Sequence, residues 1–313
     1  MRGIRPLSAR LIRSWIPTRK RNSHKGDYGH VLIVAGSRGM AGAGILCAQG
    51  ALRGGSGLVT LAVPKSQQTV VAKRGRPESM TLGLPETRSG TIASDAVPIL
   101  LDRIKKRGIT SLAIGPGLSR NPETARVVVK IFKRVVRLRD FQGIVLDADG
   151  FLAFKDHKDK AHILQTGPVP LIVTPHPGEM AQFMGVKTAH VQQDRIKLTQ
   201  KFAKLNQAIC VLKGDRTVVS DGQNTFINRT GNPGMATGGS GDVLTGLIAA
   251  LISQVSKTRL GSNPIASILK AACVGVFIHG LAGDLAKKKK TEIALLAGDI
   301  ANEIPRAFKR VLG

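Results

Sequence analysis

Short uninterrupted apolar runs alternate along this chain with stretches of helical spacing, and that alternation sets the first expectations. Val31-Leu32-Ile33-Val34, within His30 to Gly36, predicts a strand buried on both faces, because a half-exposed strand would alternate apolar and polar residues. It leads into a glycine loop and a small-residue helix over Gly42 to Gly54. Further strands are predicted at Leu58 to Val63 (ended by Pro64), Ser111 to Gly115, Gly143 to Asp147, Leu171 to Thr174 and Ala208 to Leu212, with a shorter run at Val218-Val219. Between them, helices are predicted at Ala96 to Arg107, Pro122 to Arg137 and Val191 to Leu205. The last third is mainly helical: Asp242 to Gln254, Pro264 to Ala286, and Ala294 to Val311. Strands alternating with helices imply a three-layer α/β/α class, with a mostly parallel central sheet and helices on both faces. No internal repeat or low-complexity linker interrupts the pattern, so a single domain is expected.

Open sheets of this class bind ligands beyond the carboxyl ends of their strands. Here those ends carry Gly36-Ser37, Gly115-Pro116-Gly117, Asp147-Ala148-Asp149-Gly150, Thr174-Pro175-His176-Pro177-Gly178-Glu179 and Lys213-Gly214-Asp215. Each alone is ordinary turn chemistry; their convergence on one rim points to a site. The most informative stretch is Asn232-Pro233-Gly234-Met235-Ala236-Thr237-Gly238-Gly239-Ser240-Gly241-Asp242, directly before an apolar helix face of Val243, Leu244, Leu247, Ile248, Leu251 and Ile252. Glycines free the backbone to aim N–H groups at a helix N-terminus, whose partial positive charge suits a phosphate. Asp242, at or next to the N-cap, would stand beside a bound phosphoryl group and could deprotonate an attacking hydroxyl. Asp is also a favoured N-cap residue, and for Gly-Gly-Ser-Gly-Asp alone capping explains the run equally well. Lys213-Gly214-Asp215-Arg216-Thr217, between two strand-like runs, adds a candidate nucleotide wall.

Charge changes the picture only in part. The 47 Lys and Arg against 20 Asp and Glu give +27, which makes nucleic-acid binding the rival reading from another functional class. A single Tyr, a single Trp and basic residues spread along helices (Arg103, Lys105, Lys106 and Arg107; Lys130, Lys133 and Arg134) favour a solvated basic surface instead, so no nucleic-acid partner is expected. Cys47, Cys210 and Cys273 are far apart, sit in apolar runs and lack metal spacing, which predicts buried thiols in a reducing, cytoplasmic compartment. No uninterrupted run reaches the ~18 apolar residues of a membrane span, so no membrane partner is expected. The first residues are Arg-rich and acid-poor like a transit peptide, but the amphipathic part is short and broken by Pro6 and Pro17. Gly36 to Gly44 has neither the dinucleotide-binding glycine spacing nor the Lys-Ser/Thr of a phosphate loop, and His176 and Glu179 are too close, with Pro177 between them, for a zinc helix.

Several segments in order carry a resemblance. They are Lys25-Gly26-Asp27-Tyr28-Gly29-His30-Val31-Leu32, Ala51-Leu52-Arg53-Gly54-Gly55-Ser56-Gly57-Leu58-Val59-Thr60, Gly115-Pro116-Gly117-Leu118, Leu146-Asp147-Ala148-Asp149, the Thr174 to Glu179 segment, Val211-Leu212-Lys213-Gly214, the glycine run, and His279-Gly280-Leu281-Ala282-Gly283-Asp284. Together they resemble the ADP/ATP-dependent NAD(P)H-hydrate dehydratase family, a branch of the ribokinase-like fold. The match starts near residue 25, so the expectation is a basic N-terminal extension over 1–24 and a single ribokinase-like domain over 25–313, a stand-alone form without the epimerase domain. Gly150-Phe151 after Asp149, and Ser119 after Leu118, depart from the family's usual wording.

The resemblance implies repair of hydrated nicotinamide cofactors: phosphorylation of the added hydroxyl, then loss of phosphate. It implies Asp242 as the base; Ala43, Gly117, His176 and Asp242 against the S-form hydrates NADHX and NADPHX; and Lys213, Gly214, Asp215, Arg216, Thr217, Gly239, Ser240 and Gly241 against ADP or ATP. For His176 the competing role is to cap a turn. Mg²⁺ is implied by the polyphosphate, with Glu179 as candidate ligand. A separate epimerase in the same pathway, a homotetramer and dependence on ADP rather than ATP are also implied. A vitamin or sugar-alcohol kinase of the same superfamily is the rival that the phosphate loop alone does not separate.

Overall fold

The computed structural model describes residues 3–138, 141–157, 164, 167–255 and 264–313. Its strands are β1 (Ile4–Pro6), β2 (His30–Val34), β3 (Leu58–Pro64), β4 (Met80–Leu84), β5 (Ser111–Ile114), β6 (Gly143–Leu146), β7 (Leu171–Val173), β8 (Ile209–Leu212), β9 (Val218–Ser220) and β10 (Thr225–Ile227). They form one sheet in the order β1-β10-β9-β8-β7-β6-β5-β2-β3-β4, parallel except that β9 runs antiparallel to both neighbours. The expected three-layer α/β/α class is the observed one. All five residues of β2 are buried, and their alternation explains why the run has no polar period. Val31 and Ile33 enter the core on one face, with the helices Ala41–Arg53, Ser240–Ser253, Pro264–Lys290 and Ala297–Leu312. Leu32 and Val34 enter the core on the other, with Ala96–Lys106, Pro122–Val135, Pro177–Met184 and Arg195–Asn206.

The helix Ser240–Ser253 is buried along its whole length except at Gly241 and Asp242. Two glycines bring it against Ala41–Arg53: a Cβ on Gly246 would lie 1.8 Å from the Cys47 carbonyl oxygen, and one on Gly50 2.2 Å from that of Val243. Ser111 Oγ donates to the Ala249 carbonyl at 3.0 Å and ties the same helix to β5. The N-terminus of this helix is thereby fixed over the carboxyl ends of the strands. Pro264–Lys290 is long and apolar enough by composition to cross a membrane, but 72% of its apolar stretch is buried inside the fold, which makes it a core helix. All three cysteines are buried free thiols.

Several expectations are corrected. The helix predicted over Val191 to Leu205 is two, Thr188–Gln193 and Arg195–Asn206, broken at Asp194. The helix Lys65–Arg74 and edge strand β4 were not predicted: Val71 alone is buried in the first and Leu84 alone in the second, too little for an apolar period. The boundary near residue 25 does not divide the packed structure. β1 pairs in parallel with β10, the helix Ala9–Trp15 buries Ile12, and Trp15 meets Phe226 edge-on at 5.6 Å, so residues 3–24 contribute to the same sheet and core. Pro6 and Pro17, which interrupt a longer amphipathic pattern, end β1 and follow that helix.

Candidate active site

The loops after β2 and β5 are stapled together by Gly36 N–H donating to the Pro116 carbonyl at 2.7 Å and Ser37 Oγ to that of Gly117 at 2.8 Å. Gly117 then faces the start of the helix Ala41–Arg53, where a Cβ on it would lie 2.9 Å from that of Ala43. The structure therefore brings together Ala43 and Gly117, residues separated by three strands in sequence.

A charge cluster stands beside them. Lys213, at the end of β8, places Nζ 2.7 Å from Asp147 Oδ1 at the end of β6 and 3.8 Å from Glu179 Oε2. Thr245 Oγ1 donates to Asp147 Oδ2 at 2.8 Å, so both oxygens of this carboxylate, whose side chain is 1% exposed, are engaged. Burial opposes the Lys213 charge, but Asp147 and Glu179 outweigh it and hold the ammonium above its ordinary range. Burial pushes Glu179 up to about 6, with Lys213 opposing and Asp147 adding to the rise.

Asp242 joins this cluster from the helix Ser240–Ser253. The N-cap is Gly239, with φ +90°, not Asp242, which is the third residue of the first turn. No side chain caps this helix end, so the carboxylate is not committed to capping. Instead it sits next to Gly241, where a Cβ would be 3.2 Å from Lys213 Nζ and 3.8 Å from Asp147 Oδ2. Burial first, then Asp147, raise the Asp242 carboxyl to about 7, against the pull of Lys213. A carboxylate poised near neutrality can both take and release a proton at working pH. The first-turn amides of Gly241 and Asp242 have no carbonyl four residues back and point out of the helix end. Ser240 N–H is partly occupied by the Thr237 carbonyl at 3.3 Å.

His176 does cap. Its Nδ1 accepts from Gly178 and Glu179 N–H at 3.0 and 3.2 Å, and Glu179 Oε2 accepts from His176 N–H at 2.7 Å, closing a capping box at the start of Pro177–Met184. Burial and then Lys213 hold the imidazole below its usual pKa, so the ring presents Nε2, 3.4 Å from Glu179 Oε1, as its remaining polar edge. The expected nucleotide residues divide. Lys213 turns inward to the cluster, while Gly214, Asp215 and Arg216 are exposed in a turn closed by Thr217 Oγ1 donating to the Gly214 carbonyl at 2.9 Å.

Four supporting residues were not assigned from sequence. Asp147 appeared only as a rim residue. Arg195, inside a predicted helix, donates to the Leu212 and Lys213 carbonyls at 3.1 and 3.3 Å and fixes the turn. Asp284 accepts from Gly231 N–H at 2.9 Å and Asn232 Nδ2 at 3.0 Å, anchoring the start of the glycine run. His279, 7% exposed, hydrogen-bonds the Ser240 carbonyl and anchors its end; burial drives the imidazole down to about 4, and Nε2 is buried without a partner among the described residues. The His279 to Asp284 wording signalled that the segment matters but not what it holds. Among the described residues no group of three or more His, Cys, Asp or Glu forms a metal cage. Mg²⁺ seldom needs one, since it binds through one or two carboxylates, waters and substrate phosphates.

A family model described as NAD(P)H-hydrate dehydratase (Carb_kinase) matches residues 31–306. The chain belongs to the NAD(P)H-hydrate dehydratase family. It is 43% identical over 309 residues to the bifunctional NAD(P)H-hydrate repair enzyme Nnr of Moorella thermoacetica, covering 98% of this chain and 54% of that protein, so it spans about half the length of that relative. It is 34% identical over 285 residues to the ADP-dependent (S)-NAD(P)H-hydrate dehydratase of Neisseria meningitidis serogroup B, covering 90% of this chain and 86% of that one. The ADP/ATP-dependent NAD(P)H-hydrate dehydratase of Bacillus subtilis, co-crystallised with ATP/Mg²⁺, superposes with a TM-score of 0.80 at 26% identity, covering 99% of this chain and 100% of the other. The ribokinase-like fold expected from the resemblance is the fold of the dehydratase family.

Proposed function

We propose that this chain restores NAD(P)H from the S-form hydrates NADHX and NADPHX, using ADP (or ATP) and releasing AMP (or ADP) and phosphate. The observation that carries the reading is Asp242: uncapped, raised to about 7 and set among free first-turn amides beside the Asp147–Lys213 pair. Asp242 takes the proton of the hydrate hydroxyl as its oxygen attacks the terminal phosphorus. The bond from that phosphorus to the departing nucleotide oxygen breaks, and the Gly241 and Asp242 amides stabilise the charge on the transferred group. Phosphate then leaves with the C–O bonding pair, and the neighbouring ring carbon gives up a proton, so the double bond returns. Ala43, Gly117 and the Nε2 edge of His176 position the ring. The turn Gly214 to Thr217, with the Gly239 to Gly241 loop, takes the nucleotide.

Mg²⁺, when bound, neutralises polyphosphate charge. Glu179 is the residue that would help hold it, through Oε1, whose approach to His176 Nε2 is 3.4 Å; Glu179 Oε2 already accepts from His176 N–H, and both Asp147 oxygens are engaged. The S-specificity implies an epimerase acting in the same pathway. A homotetramer is proposed, with exposed apolar Met40, Ile293 and Leu296 as candidate contacts, and a cytoplasmic location fits three buried free thiols. Recovery of reduced-nicotinamide absorbance from the hydrate with ADP or ATP and Mg²⁺ tests the reading. Wild-type protein is expected to recover it, and Asp242→Asn to fail while still binding nucleotide. No recovery with either nucleotide would overturn the dehydratase function, and phosphorylated hydrate accumulating unconverted would make the protein a kinase.

A further inference from the structure

The rim holds a second recess that the chemistry above does not use. Beyond Ser119 and Asp149, a cavity of about 540 Å³ opens between the helices Pro122–Val135 and Ala148–Leu152. That volume is within the ~300–1,000 Å³ typical of small-molecule sites. One wall is apolar, from Val129, Leu152 and Ala153. Arg126 and Lys130 also line it, one helical turn apart on the same helix. The opposite face of that helix, Val127, Val128, Ile131 and Phe132, is buried in the core, so helical periodicity commits both cations to the cavity side. His157 lines the recess too, with Nδ1 buried and unpartnered among the described residues.

The recess is continuous with the catalytic rim. Ser119 N–H donates to Asp149 Oδ2 at 2.9 Å; both residues border the cavity, and Ser119 is two positions from Gly117. The nucleotide turn lies beyond β8, on the far side of β6 and β7, so the two ligands approach Asp242 from opposite flanks. A hydrated nicotinamide held at Asp242 carries a diphosphate-linked adenosine that must lie along the rim. An apolar wall suits the flat base, and two cations one turn apart suit a phosphate dianion.

Building on the proposed dehydratase function, we infer that this cavity receives the adenosine end of the hydrated dinucleotide, with Arg126 and Lys130 recognising its 2′-phosphate. The hydrate of NADPH is then preferred over that of NADH. Loss of both cations in Arg126→Ala/Lys130→Ala raises the KM for NADPHX by on the order of tenfold or more, leaves that for NADHX little changed and keeps kcat at saturation. Lys133→Ala/Arg134→Ala removes the same charge from the same helix outside the cavity lining, and the ratio of the two KM values stays at wild type. A second measurement does not need turnover: calorimetric titration of adenosine 2′,5′-bisphosphate against adenosine 5′-monophosphate, with the nucleotide site saturated by a non-hydrolysable ATP analogue and Mg²⁺. The bisphosphate binds wild type more tightly, and Arg126→Ala/Lys130→Ala abolishes the difference. Equal KM changes for both hydrates, the same change in the Lys133/Arg134 variant, or no calorimetric difference in wild type each overturns the assignment. If wild-type protein turns over neither hydrate, the proposed function falls, and the titration still reports on the cavity by itself.

Discussion

Replacing Lys213 by Met tests whether this ammonium sets the proton affinity of Asp242 or merely touches the nucleotide. Its Nζ is 2.7 Å from Asp147 and 3.8 Å from Glu179, and it faces the turn that carries Asp242. Without it, three inward carboxylates, Asp147, Glu179 and Asp242, lose the cation that faces all of them among the described residues. An opposite charge at ~4–6 Å lowers a carboxylate pKa by ~1–3 units, so its removal moves Asp242 from about 7 to roughly 9. At pH 7 the unprotonated fraction then falls from about one half to about one in a hundred, a roughly 50-fold loss in kcat/KM that is recovered near pH 9. The assay is kcat/KM for the hydrate from about pH 5.5 to about 10 at saturating nucleotide; its rising limb belongs to the coupled Asp147, Glu179 and Asp242 cluster as a whole. Lys213→Arg keeps the charge and restores most of the wild-type profile. An unshifted rising limb, with only the nucleotide KM raised, would refute the reasoning and make Lys213 a phosphate contact.

Asp242 also makes a stability prediction. Its folded pKa is raised from 3.8 to about 7, so its contribution is most favourable below the unfolded value and is lost as pH rises through 7. Asp242→Asn should therefore raise the melting temperature of ligand-free protein at pH 8, by an amount worth on the order of 2–4 kcal/mol, and leave it little changed near pH 4; equal effects at both values would contradict the raised pKa. Gly246→Ala should cost about 2–4 kcal/mol in denaturant unfolding, since its Cβ would meet the Cys47 carbonyl at 1.8 Å, and a neutral result would mean that the two helices separate readily. Asp284→Asn should speed amide exchange at Gly231 and raise the nucleotide KM several-fold with little change in global stability, because it replaces an acceptor of two hydrogen bonds. Unchanged exchange at Gly231 would show that the glycine run is held by other contacts.

The central strands were legible because burial on both faces leaves unbroken apolar runs, as in β2, whose residues divide between the two cores. The rim was legible because polar and glycine residues end each run. The short strand β1 was not, since Ile4, Arg5 and Pro6 are all exposed and gain their place only by pairing with β10, more than two hundred positions away. The helix start at Ser240 was misplaced by two residues because a glycine run gives no local capping signal, and the turn at Gly239 is fixed by packing against Leu46 and Ala297. The sequence named Asp242 and Lys213 as separate site residues. That Lys213 pairs with Asp147, with Thr245 behind it, depends on contacts spanning 66 and 98 positions that no local pattern encodes.

The central claim is that the hydrate hydroxyl itself attacks phosphorus and leaves as part of phosphate. Hydrate prepared in ¹⁸O-water carries the label in that hydroxyl, and single-turnover reaction with ADP and Mg²⁺ followed by mass analysis of the phosphate locates it. Inorganic phosphate bearing one ¹⁸O is the predicted result. Unlabelled phosphate, with the ¹⁸O released to water, would contradict the account.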